Sequence, residues 1–84
     1  MGRNIRRSAL AYVTETMKSL NVDSDKPLPD VLSAVARDEQ EQKAVETILK
    51  VMAKQGHIVV GGTPEAPLYR LSESGVVLVN ALEK

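Results

Sequence analysis

The chain has 84 residues, of which 43% are hydrophobic and 26% charged, and its formal net charge is zero. That composition is ordinary for a soluble globular protein. It gives enough length for one domain, expected over residues 1–84, and too little for two cores. The absence of cysteine excludes a disulfide scaffold, a cysteine-ligated zinc site and a thiol nucleophile.

The first predicted element covers residues 5–20. Leu10, Val13, Met17 and Leu20 recur at helical spacing, with Ala9 and Thr16 bordering the stripe. A cap between Asn4 and Ser8 starts this amphipathic helix, and it ends near Asn21. Val22-Asp23-Ser24-Asp25-Lys26-Pro27 then reads as a polar turn-forming loop. Basic residues in Met1–Arg7 resemble the start of a signal peptide, but Thr14-Glu15-Thr16 cuts the apolar stretch that should follow. Arg6 also stands where a myristoylation signal needs Ser or Thr. No apolar run approaches the ~20 residues of a membrane span. A cytoplasmic location fits this pattern.

Pro29 suits the first turn of a short second helix, Asp30 favours its positive end, and Val31, Leu32, Ala34 and Val35 supply apolar surface up to Ala36. Asp38 followed by Glu41 reads as a capping box for a third helix that runs to Gln55. Its stripe is Val45, Ile48, Leu49 and Met52, flanked by Ala44 and Val51. Gly56 is the expected left-handed stop. His57 to Val60 is a β-branched strand. Gly61 to Pro67 is read as a long, flexible tip, and Leu68 to Leu71 as the returning strand of a hairpin. Ser72 caps a closing segment, Val76 to Leu82, which reads as a helix. Its valine run leaves a third strand as the alternative. Phe and Trp are absent and only Tyr12 and Tyr69 are aromatic, so the core is aliphatic. In so short a chain this makes a homodimer an expectation, with 76–82 as a candidate dimer or partner surface.

The spacing Val45, Leu49, Met52, Gly56, with Ile58 opening the strand, resembles the recognition helix of winged helix-turn-helix regulators. The segment Leu68-Tyr69-Arg70-Leu71-Ser72-Glu73-Ser74-Gly75 is similar to the stretch that leaves the wing and opens a C-terminal helix in the MarR and PadR groups. The resemblance covers the chain from about residue 8 to its end. It implies an α+β fold, a winged helix-turn-helix of three helices, a two-stranded wing hairpin and a C-terminal helix. It also implies a regulator that reads double-stranded DNA with its third helix.

On that fold the outward residues of the third helix are Gln40, Gln42, Lys43, Glu46, Thr47 and Lys50. Gln suits adenine, and Lys suits guanine or phosphate. Arg70 on the hairpin and the cluster Arg3, Arg6 and Arg7 complete the expected DNA-binding set. The charge distribution opposes it in part. Residues 1–20 carry a surplus of three positive charges, while Glu39, Glu41 and Glu46 would face a polyanion and the hairpin tip holds only Glu65. The alternative is a winged-helix module that binds another protein, since fold does not fix function. The solvated-face alternative for the third helix rests on its Glu39–Lys43 and Glu46–Lys50 pairs. No catalytic motif is found. His57 is the sole histidine and reads as structural, and no metal ligand set, cofactor or phosphate loop is expected.

Overall fold

A computed structural model of the chain describes residues 8–83. Its elements in order are α1 (Ala9–Lys18), β1 (Lys26–Pro27), α2 (Leu28–Val35), α3 (Glu39–Lys54), β2 (Ile58–Gly62), β3 (Pro67–Leu71) and α4 (Glu73–Leu82). The three strands form one antiparallel sheet in the order β1-β3-β2.

Ser8 caps α1, its hydroxyl accepting from the Ala11 amide at 3.1 Å. The buried face is Tyr12, Thr16 and Met17, continued by Leu20 beyond the helix end. Leu10, expected on this stripe, is 61% exposed. It occupies the first turn, beyond the core that covers Met17. Tyr12 goes inside instead because its hydroxyl has a partner there, donating to Glu41 Oε2 at 3.2 Å.

The segment read as a loop contains a strand. Lys26 and Pro27 pair with Tyr69 and Leu68. Two residues, one of them proline, carry no strand periodicity, so only docking onto β3 defines β1. Helix α2 follows directly, with the extended Pro27 as its cap position and no side-chain capping bond. Val31 and Val35, one turn apart, are its buried residues.

Asp38 caps α3 as expected, its carboxylate accepting from the Glu41 amide at 2.8 Å. Glu41 reaches back one residue further than a capping box requires, to the Arg37 amide at 2.9 Å. Val45 and Leu49 are fully inside, with Met52 packed beside them, whereas Val51 faces solvent. Two left-handed-turn hydrogen bonds close the helix. The Gly56 amide donates to Ala53 at 3.1 Å and the His57 amide to Met52 at 2.9 Å, with Gly56 at φ +87°. The same residue types set this stop in the sequence.

The hairpin is more regular than expected. Gly61 and Gly62 belong to β2 and Pro67 to β3, so the tip shrinks to Thr63–Ala66. Thr63 and Ala66 exchange both backbone hydrogen bonds, at 3.3 and 3.0 Å. Gly62 at φ +76° provides the twist that lets so short a turn close. The closing segment is helix α4, which settles the strand alternative. Ser72 accepts from the Gly75 amide at 3.1 Å. Val76, Leu78 and Val79 pack against the core, while Val77 is 68% exposed.

The core gathers Met17 and Leu20 from the first helical segment, Val31 and Val35 from α2, Val45 and Leu49 from α3, and Ile58 and Leu71 from the sheet. Two substitutions test it. Thr16 is fully buried and its hydroxyl has no hydrogen-bond partner among the described residues. Thr16→Val removes that unsatisfied group at nearly constant shape, and is expected to stabilise the fold by about 1 kcal/mol, raising the melting temperature by roughly 4–8 °C. Gly75 is buried where an added Cβ would strike the His57 carbonyl oxygen. Gly75→Ala is expected to destabilise by about 1–3 kcal/mol in urea denaturation. An unchanged midpoint in either variant contradicts the packing described.

Candidate nucleic-acid interface

The exposed side of α3 follows from 3.6 residues per turn. Lys43, Lys50 and Lys54 fall within about 40° of one another around the axis, on the side opposite the buried Val45 and Leu49. Thr47 borders this stripe, which extends about 16 Å along the helix. Lys54 is not among the outward residues named from the sequence. Its angular position makes it part of the outer face, a signal present in the spacing of the three lysines.

Of the carboxylates of α3 only Glu41 lies on another side, while Glu39 and Glu46 flank the lysine stripe, about 40° and 60° from Lys43. Glu41 is turned towards α1, where it accepts from Tyr12 and the Arg37 amide. Glu46 is half-buried, and Tyr69 of β3 has its phenol pKa raised above 10.0, first by burial and then by the Glu46 charge. Glu39 remains exposed at the helix start. The acidic character read along α3 is thus only partly shared by its solvent face.

The structure separates the remaining expected residues. Gln40 and Gln42 are exposed in the first turns of α3, on either side of the lysine stripe. Arg70 is opposite Val59 in the sheet, and the two-residue alternation puts it on the face away from Tyr69 and Leu71. There it lies 3.8 Å from Asp25, an exposed pair of little energetic weight. Lys26, which the sequence placed in a loop, is opposite Tyr69 and so shares the sheet face that bears Tyr69 and Val60. Arg3, Arg6 and Arg7 lie outside the described residues.

His57 has a structural role. Its Nδ1 is 3.0 Å from Ser74 Oγ, and the hydroxyls of Ser72 and Ser74 both donate to the Gly56 carbonyl, at 2.5 and 3.0 Å. This polar knot ties the end of α3 to the start of α4. Among the described residues no group of three or more His, Cys, Asp or Glu could hold a metal ion. No described helix is long and apolar enough to cross a membrane.

Two solved structures share this arrangement. Sso10a-2, a DNA-binding protein from Sulfolobus solfataricus, superposes with a TM-score of 0.73 at 14% identity, over 92% of this chain and 76% of that one. BpsR of Bordetella bronchiseptica, whose DNA binding is regulated by 6-hydroxynicotinic acid, superposes with a TM-score of 0.70 at 22% identity, over 86% of this chain. The fold is a winged helix-turn-helix. The chain spans about half the length of BpsR, 51%. No protein-family model matches the sequence, and no curated protein matches it. In winged-helix terms α2 and α3 form the helix-turn-helix, and β2 and β3 the wing. Strand β1 anchors the wing to the helices.

The placement of Tyr69 is open to a direct check. In a Tyr12→Phe background Tyr69 is the only phenol, and an ultraviolet titration is expected to give a pKa above 10.0. Glu46→Gln should lower it without returning it fully, because burial remains. The folded pKa exceeds the unfolded one, so this group's contribution to stability is complete below the unfolded value and lost as pH rises through the folded value. A titration unmoved by Glu46→Gln contradicts the influence of the Glu46 charge on Tyr69.

Proposed function

We propose that this chain is a small winged-helix DNA-binding protein, a transcriptional regulator that presents α3 to duplex DNA. The observation that carries this reading is the stripe Lys43, Lys50 and Lys54 on the outer face of α3, from which Glu41 is turned away. A helix lying in the major groove needs cations along its exposed side to meet phosphates, and short polar side chains near its start to reach base edges. Gln40, Gln42 and Thr47 are the candidates for base contact, Lys43 for base or phosphate, and Lys50 and Lys54 for phosphate. The DNA-binding function of Sso10a-2 and BpsR supports the same reading.

The finer points belong to the same proposal. The resemblance of the segment Leu68–Gly75 supports a kinship with the MarR and PadR groups. Residues 1–84 act as one winged-helix domain, in the cytoplasm and as a homodimer. Arg3, Arg6 and Arg7 supply a basic arm for the DNA backbone, and Arg70 a contact from the wing once released from Asp25. The uncharged wing tip leaves α3 as the main grip, with little insertion into the minor groove.

Fluorescence anisotropy with a generic duplex at low salt is expected to show binding at micromolar protein, weakening steeply as salt rises. Lys43→Glu/Lys50→Glu should lower affinity by at least about tenfold, and each lost phosphate contact should reduce the salt slope by about 1. Lys54→Ala should weaken binding similarly on all sequences. If the wild-type chain does not bind at low salt, the regulator reading fails. If the double variant binds as the wild type does, the site moves to Arg3, Arg6 and Arg7.

A further inference from the structure

The sheet has two edges, and they differ. The β1 edge is two residues long and consists of Lys26 and Pro27. A charge, a proline and short length are the usual means by which a sheet edge is kept from pairing with another chain. The β2 edge has none of them. Ile58-Val59-Val60-Gly61-Gly62 contains no charged residue and no proline, and Val59 and Val60 are 38% and 49% exposed.

The hydrogen-bond phase of β2 is fixed at both ends. The Ser72 amide donates to the His57 carbonyl, and Thr63 and Ala66 exchange both bonds. These pairs continue the register that sets Val59 opposite Arg70 and Gly61 opposite Leu68. Antiparallel ladders alternate, so residues 57, 59, 61 and 63 bond inward to β3. Ile58, Val60 and Gly62 therefore direct their amides and carbonyls to the edge that no described strand occupies; Ile58 is buried at 3% exposure, so Val60 and Gly62 are the accessible positions.

We propose that this edge pairs with the β2 strand of a second copy of the chain, antiparallel and about a twofold axis through Val60. The sequence of the strand is complementary to itself in that register. Val60 meets its own symmetry mate. Ile58 lies opposite Gly62 on one face and Val59 opposite Gly61 on the other, so each branched side chain faces a glycine that leaves it room. The outward backbone groups of one strand meet those of the other, as an isologous interface requires. No charge is brought against its own copy. The result is a continuous six-stranded sheet with its two guarded β1 edges outermost. This surface deepens the homodimer part of the proposed function and does not depend on DNA binding.

The chain has no cysteine, so single-cysteine variants report contacts cleanly. Val60→Cys is expected to form a disulfide-linked dimer on mild oxidation, at least tenfold faster than Val77→Cys on the exposed side of α4. Light scattering should give the mass of two chains for the wild type and of one for Val60→Lys, with an unchanged circular dichroism spectrum. A dimer that cross-links as fast through Val77 as through Val60 overturns the β2 interface but leaves a dimer. A wild-type monomer overturns both. Should Val60→Lys fail to fold, the cysteine pair decides alone.

Discussion

At the His57 carbonyl three parts of the chain meet. It accepts from the Ser72 amide at 3.1 Å, and it lies where any side chain at position 75 would stand. Helix α3 ends one residue earlier, at a glycine whose left-handed backbone sends the chain into the wing. Ser72 then caps α4 while its hydroxyl holds the Gly56 carbonyl. The direction of the wing relative to α3 and the start of α4 are thus set by one small junction. Its two glycines serve opposite needs. Gly56 supplies a backbone angle in open space, and Gly75 supplies the absence of a side chain in a closed one.

Around this junction the charge of α3 is sorted by depth. A neutral chain is a poor starting point for a DNA binder, because phosphate contacts dominate affinity. The fold redistributes what is available. Glu41 is used for capping and for the Tyr12 hydroxyl, and Glu46 is half-buried, while the lysines and Glu39 remain exposed. Tyr69 has a raised pKa because a phenolate there would be partly desolvated and repelled by the Glu46 charge.

Much of the fold was legible in the chain. The apolar spacing of α3, the Asp38 and Ser72 caps and the Gly56 stop are local features, in which a backbone requirement is met by a residue a few positions away. They appear in the structure where the sequence puts them. Lys43, Thr47 and Lys50 were legible on the outer face for the same reason, because helical periodicity alone opposes them to Val45 and Leu49.

Other features were decided by contacts between distant segments. Lys26 and Pro27 become a strand only because Tyr69 and Leu68 lie alongside them. Tyr12 displaces Leu10 from the buried face because Glu41, 29 residues on, receives its hydroxyl. Arg70 is set on the sheet face opposite Tyr69, and the free edge falls to β2, through strand order and register. The sequence by itself determined the first three helices, the caps and stop of α3 and the expected winged-helix order, since these rest on short-range periodicity and capping, whereas the helical state of α4 came from the structure. Only the tertiary structure decided which charges share a face and which edge stays open, since both depend on which remote backbone each strand and helix packs against.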